Sequence, residues 1–325
     1  MAGAQSRITR RGLLTGMVGA AAVAAFGGRR VQANAAARVV RVESPHVWVG
    51  GTRDPKVLAA MVDRGISALT GLRTGNEAWR RYFAPGMRVG LKINLLGRPL
   101  VYTARELTEA VTAAVISAGV RPSDVIVWDR HADHFPPTSY KPGTGALGER
   151  IKVGGRYDDT KMMQGTGGSS PLDTTVAETD VTVNLPVMKD HGGAGVTLAL
   201  KNIAFGCYAN HRQSHSGNCD PYVAEAYQHY LTQTKVPLIV LDATECCFDE
   251  GPQPRNPESL WRENAIYLAT DPVALDVVCR EVILAKRKAA NLSDKRRQTR
   301  HIDTAAERGL GVGDRARIEV IALRV

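Results

Sequence analysis

The chain is short of cysteine. Its five, Cys207, Cys219, Cys246, Cys247 and Cys279, form no C-x-x-C pair. An iron–sulfur cluster, usually held by such pairs, is therefore not expected. An odd count leaves at least one thiol unpaired, and adjacent Cys246 and Cys247 are poor partners for each other. Buried thiols with at most one disulfide are the simplest expectation. No aromatic residues interleave with the basic ones, and no nucleic-acid motif is present, so DNA and RNA are not expected partners. No repeat of solenoid period appears. Hydrophobic residues make up 44% of the chain and charged ones 23%, which is ordinary for a globular protein and argues against disorder. The 325 residues suffice for one large α/β domain or two smaller ones.

Residues 1–35 lack any acid. They carry Arg7, Arg10, Arg11, Arg29 and Arg30, an apolar stretch from about Gly12 to Gly28, and small residues at Ala33-Asn34-Ala35. Basic head, apolar middle and small-residue cleavage site are the layout of an export signal. The apolar part is too short and too rich in Ala and Gly to read as a stable membrane span. "TRRGLLT" (Thr9 to Thr15) resembles the twin-arginine motif. That route carries folded proteins, often with a cofactor inside. It implies the twin-arginine translocase as a partner during export, and a periplasmic or extracellular location. Without those five arginines the formal charge falls from +10 to +5. Much of the remaining excess sits in "KRKAANLSDKRRQTRH" (286–301), which reads as a solvated basic segment.

From residue 36 onward the pattern is strand, helix, strand. "ARVVRVES" reads as a first strand. Leu58, Met61, Val62, Ile66 and Leu69 share one helical stripe within 54–72. "RVGLKINLL" (88–96) is a strand. The helix after it has Leu107, Val111, Ala114, Val115 and Ala118 on its apolar face, with Thr103 and Glu106 spaced as a capping box. "DVIVWDR" (124–130), "ETDVTVNLPVM" (178–188) and "VPLIVLDAT" (236–244) are apolar enough to be covered on both faces. A short strand precedes Asp271-Pro272, which starts a helix, and "ARIEVIALRV" closes with a strand. The fold class is α/β: a mostly parallel sheet flanked by helices, with loop-rich insertions at its carboxyl edge. The loop-rich stretch 135–175 is where two lobes would divide.

Ligands of open α/β sheets bind at the carboxyl ends of the strands. Polar residues collect there: Lys92, Asn94 and Arg98; Asp129, His131, Asp133 and His134; Lys189, Asp190 and His191; Asp242, Glu245 and Asp249. His131, His134, His191 and Lys189 are the candidate acid–base groups. Lys201 follows "GVTLAL", and a lysine among apolar residues can act as a nucleophile or a tether. With Asn202, Lys92 and Asn94 it forms the candidate cofactor set. Gly192 and Gly193 could offer backbone N–H groups to an anion. His211, His215 and Cys219 recur every four residues, though Gly217 argues against a regular helix there. With Asp129 they are the candidate ligands for Ni, Fe or Zn.

Taken in order, "VGLKINLL", "VTVNLPVMKDHGGAGVTLALKNIAFG", "GPQP" and "ATDPVALDVV" resemble the family catalogued as "domain of unknown function 362", across roughly residues 85–320. Some members carry ferredoxin-type cysteine motifs, which this sequence lacks. More distantly, "MKDHGGAGVTLALKN" with a downstream histidine is similar to the nickel-pincer lactate racemase family. That resemblance implies His131 or His134 as a first base, His191 as a second, Lys201 as the tether of a nickel nucleotide, and His211 or His215 as metal ligand. The glycine pair before the tethering lysine is replaced by "LAL", and the proline-containing turn after it is missing. The sequence thus points to an exported enzyme, cofactor- or metal-dependent, acting on a small polar or anionic molecule. The alternatives are a metal-free enzyme for anionic or phosphate ligands, and a non-enzymatic binding or redox-partner protein.

Overall fold

The computed structural model describes residues 37–209 and 213–325. The export segment and His211 lie outside the described residues. Ala36–Val325 cluster as one compact unit.

The chain opens with β1 (Ala37–Glu43) and a small ribbon of β2 (Trp48–Val49) and β3 (Thr52–Arg53). Helix α1 (Pro55–Thr70) starts where the Asp54 carboxylate accepts from the backbone N–H groups of Lys56 and Val57, and ends at Gly71, whose φ of 74° suits glycine. The Thr74–Glu77 capping box opens α2 (Gly75–Arg80). Then come β4 (Val89–Lys92), α3 (Arg105–Ser117), β5 (Val125–Asp129), β6 (Gly143–Thr144) and β7 (Arg150–Val153). A hairpin of β8 (Tyr157–Gly165) and β9 (Gly168–Asp173) precedes β10 (Val181–Asn184), β11 (Val187–His191) and β12 (Gly195–Thr197). Helices α4 (Ala199–Gly206) and α5 (Tyr222–Gln233) lead to β13 (Lys235–Cys247), β14 (Leu260–Trp261) and β15 (Ala265–Ala269). The chain closes with α6 (Pro272–Ala289), α7 (Arg300–Glu307) and β16 (Ile318–Arg324).

The sheet runs β16-β1-β15-β13-β10-β4-β5-β7-β6. The central run β13-β10-β4-β5-β7 is parallel, whereas β15 lies antiparallel to both β1 and β13. Side chains alternate across it. Val40 and Val42 of β1 join Leu58, Met61 and Ile66 of α1 and Leu107 of α3 on one face. Val39 joins Ile203 of α4, Tyr227 of α5, Leu275 of α6 and Ile302 of α7 on the other. Helices on both faces explain why these strands read as nearly unbroken apolar runs.

Three local expectations are corrected. Residues 178–188 are two strands, because the chain turns at Pro186, whose carbonyl accepts from Asp242 N–H at 2.8 Å. Thr103 does not cap α3: its hydroxyl donates to the Leu185 carbonyl at 2.8 Å and accepts from Asn94 N–H at 2.9 Å. Asp242, across the sheet, takes the N–H of Ala104 instead at 2.7 Å. The stretch 131–175 holds four strands, the β8–β9 hairpin among them. All five cysteines are buried and free, so no disulfide forms. No described helix is long and apolar enough to cross a membrane.

Candidate functional site

Strand β4 is the switch point of the sheet. Its crossover through α3 leads to β5 on one side, while β10 flanks it on the other. The β4–β10 ladder ends at Lys92 and Asn184. Beyond Pro186, β11 turns to the far half of β13, pairing Val187 with Asp242 and Lys189 with Cys247. The parting leaves a crevice at the carboxyl edge, where the doubly wound architecture places ligands. A pocket of about 300 Å³ fills it.

Most expected residues meet there. Lys92 and Asn94 come from β4 and its exit, Asp129, His131 and His134 from the exit of β5. His191 ends β11, Lys201 and Asn202 come from α4, and His215 from the turn after it. Two anchors hold α4 in place. Asp276 of α6 accepts from the N–H groups of Ala199 and Leu200 at 2.8 and 3.0 Å, supplying the cap that the helix lacks locally. Gly206 leaves room for Lys92: a Cβ there would lie 2.7 Å from the lysine Nζ. The wall opposite is pinned by Asp190, which accepts from Gly251 N–H at 2.8 Å and pairs with Lys295 at 2.5 Å. That contact sets Pro252 and Gln253 at the pocket rim.

Asp129 is held by three donors. It pairs with Lys92 at 2.7 Å and accepts from the N–H groups of Leu95 and Arg130 at 2.7 and 2.9 Å. Burial alone would raise its pKa, but the Lys92 charge and these hydrogen bonds outweigh burial and lower it. It is a carboxylate whose Oδ1 takes Lys92 and the Arg130 N–H and whose Oδ2 takes the Leu95 N–H. Cys219 is buried, and burial raises its thiol pKa. Among the described residues no three His, Cys, Asp or Glu side chains converge to hold a metal ion.

A row of amides runs from the pocket wall into the core. Lys189 Nζ donates to Asn94 Oδ1 at 2.8 Å, Asn94 Nδ2 to Asn202 Oδ1 at 2.8 Å, Asn202 Nδ2 to Asn184 Oδ1 at 2.7 Å, and Asn184 Nδ2 to the Ala199 carbonyl at 2.9 Å. Lys189, expected to be catalytic, stands at the head of this row, outside the pocket lining. Burial pushes its pKa down to about 7. Its second donor goes to the Leu96 carbonyl. Two acceptors match the two N–H bonds of a neutral amine. Because the folded pKa lies below 10.5, the unfolded chain binds more protons between pH 7 and 10, and stability rises with pH there. Subtracting the stability–pH curve of Lys189→Met from that of the wild type isolates this lysine. The difference is expected to climb with pH, at a slope that approaches about 1.4 kcal/mol per pH unit midway between the folded and unfolded pKa values. A flat difference curve from chemical denaturation would sink the assignment.

His191 was expected to act as a base, and its geometry says otherwise. Its Nδ1 accepts from the N–H groups of Gly193 and Ala194 at 3.0 and 3.1 Å. Nδ1 therefore carries no proton, and the neutral ring bears its hydrogen on Nε2. Burial and then the Lys201 charge hold its pKa far below the usual histidine range. His191, stacked 5.7 Å from His215, is a hydrogen-bond donor. The Gly192 and Gly193 amides are spent as well, on the Gly251 carbonyl and on His191, so they do not cradle an anion.

His131 and His134 have rings 4.6 Å apart, and burial lowers both pKa values, that of His134 to about 4. His134 Nδ1 is buried without a partner. Both rings are neutral at neutral pH and able to accept a proton. Lys201 is the other unusual group. It is 4% exposed, and its Nζ lies 3.4 Å from the centre of the Phe205 ring. No hydrogen bond or carboxylate partner meets it among the described residues. Burial pushes its pKa down to about 8.

Sequence reasoning missed Arg130 and Phe205. Arg130 donates through Nη1 to the carbonyls of Phe205 and Tyr208 at 3.0 and 2.8 Å, while its buried Nε has no acceptor. It sits inside the "DRHADH" motif. Phe205 follows Lys201 by four residues, a spacing that carries meaning only on a helix.

No curated protein matches the sequence. Among solved structures, the lactate racemase apoprotein from Thermoanaerobacterium thermosaccharolyticum is similar over 80% of this chain, with a TM-score of 0.45 and 11% identity. The match spans 59% of the length of that racemase chain. The model of the family described as "Domain of unknown function (DUF362)" matches residues 89–281, which hold β4 through most of α6 and all of the pocket lining. With more than half of its length matched, the chain belongs to the DUF362 family.

Proposed function

We propose that the protein is an enzyme that takes a small anionic molecule into this pocket and acts on it with Lys201 and the His131–His134 pair. One observation carries the reading: Lys201 is buried at the pocket with no anion beside it among the described residues. Among the described residues the single carboxylate in the lining, Asp129, is already paired with Lys92, and Arg130 adds another cation. An unpaired buried cation is costly, and a ligand anion relieves that cost. In this reading His191 Nε2–H and the unspent donors of Arg130 orient the ligand, and His131 or His134 accepts a proton from it.

The expected metal ligands do not support a metal-dependent version. Asp129 is paired with Lys92 and Cys219 is a buried thiol, while His215 lines the pocket and His211 lies outside the described residues; no step of the proposal is routed through a metal. The same proposal places the enzyme outside the cytoplasm, on the strength of "TRRGLLT" and the cleavage-like residues after it.

Thermal melting with phosphate, oxalate and pyruvate, each against chloride at equal ionic strength, tests the proposal. A ligand at one hundred times its Kd adds about 2.7 kcal/mol, a rise of several degrees in Tm. If none of these anions raises Tm beyond chloride, the anion pocket is wrong.

A further inference from the structure

We propose that Lys201 forms an imine with the carbonyl carbon of a small 2-oxo acid. The inference deepens the anion-pocket reading and rests on it. The ammonium of Lys92 is tied to Asp129 and to the Ile93 carbonyl, both at 2.7 Å, and the amine of Lys189 is closed off by Asn94 and Leu96. Lys201 alone of these three reaches the cavity with no acceptor to hold it. Its flank is the face of Phe205, which is apolar and excludes water. Burial supplies the remaining requirement, since a pKa of about 8 leaves a usable share of free amine near neutral pH.

Charge then selects the class of carbonyl compound. A protonated imine at Lys201 is a buried cation and needs a counter-charge. Among the described residues the lining offers only Asp129, which Lys92 occupies. The substrate must therefore bring its own anion, close to the carbonyl, and a 2-oxo acid carries a carboxylate on the adjacent carbon. Arg130 and His191 Nε2–H are the donors left to receive it. The step balances without an oxidant or reductant. Starting from the ammonium, one proton is lent to a neighbouring histidine, the free nitrogen attacks the carbonyl carbon and the C–N bond forms. The carbonyl oxygen leaves as water with two of the three ammonium hydrogens, and the third stays on nitrogen as the protonated imine. His131 and His134, neutral and 4.6 Å apart, are placed to relay those protons.

The experiment is borohydride trapping on the full chain with pyruvate, followed by intact mass and peptide mapping, with acetone as the carbonyl that lacks a carboxylate. The expected result is one adduct per chain, heavier by one pyruvic acid less one oxygen, mapped to Lys201 and absent from Lys201→Met. Acetone is expected to label Lys201 at least tenfold less. If pyruvate raises Tm but leaves no adduct on Lys201, the imine is overturned and the anion pocket stands. If pyruvate neither binds nor labels and the other anions also fail to raise Tm, both readings fall. Equal labelling by acetone overturns the role given to the carboxylate.

Discussion

Asp129→Ala is expected to lower the free energy of unfolding by about 3–5 kcal/mol, because it strands a buried ammonium. Lys92 is 1% exposed, and among the described residues Asp129 is its only anionic partner. The substitution also orphans the N–H groups of Leu95 and Arg130, which set the paths of the chain out of β4 and β5. Asp129→Asn keeps the size and some acceptor capacity, so it should lose less. Pairing Asp129→Ala with Lys92→Met removes the stranded charge and should recover much of the loss, a coupling that a double-mutant cycle reads directly. Urea denaturation at constant m-value gives all four numbers. A loss under about 1 kcal/mol for the single variant would show that the pair is not the keystone described here. The sign of the pH effect follows from the lowered Asp129 pKa. Its contribution is present above the ordinary carboxylate range and is lost as pH falls through the folded value.

Lys201→Met is expected to act in opposite directions on stability and on binding. It exchanges a buried amine without a partner for an apolar chain of similar length against Phe205, which should stabilise the free protein by about 1–3 kcal/mol. It also removes the charge that recruits the anion, so the stabilisation conferred by phosphate, oxalate or pyruvate should disappear. The two effects separate in one melting series: a higher Tm without ligand and no shift with it. A variant that melts lower than wild type without ligand would mean that Lys201 is held by structure rather than kept for a ligand. A variant that still responds fully to the anions would move the binding site elsewhere.

Local patterns were legible where the cause was local. The stripe of Leu58, Met61, Val62, Ile66 and Leu69 is the buried face of α1, and Asp271 caps α6 as its sequence suggests, accepting from Ala274 N–H at 2.8 Å. The polar residues that crowd at strand ends line one pocket at the carboxyl edge of the sheet. What stayed hidden depends on partners far along the chain. Helix α4 follows a glycine-rich lead with no cap of its own, and its cap is Asp276, some seventy-seven residues away from Ala199. Thr103 looked like a cap until Asn94 and Leu185 claimed its hydroxyl. The role of His191 turns on two backbone amides just after it, and residue type alone does not say which ring nitrogen they meet. The four-residue recurrence of His211, His215 and Cys219 suggested a metal face, but the chain over Ser216, Gly217 and Asn218 leaves helical geometry.

The amide row from Lys189 through Asn94, Asn202 and Asn184 has a consequence for how this protein can vary. Each side chain gives to the next and receives from the one before, so the row has a single permitted direction. An aspartate at any of its three asparagine positions has nothing to give onward, and a leucine can neither give nor receive. Changes there are therefore tolerated as a set or not at all. Four residues spread over more than one hundred positions of chain are thereby coupled, and because Asn94 and Asn202 also line the pocket, a change in the row is felt at the pocket wall.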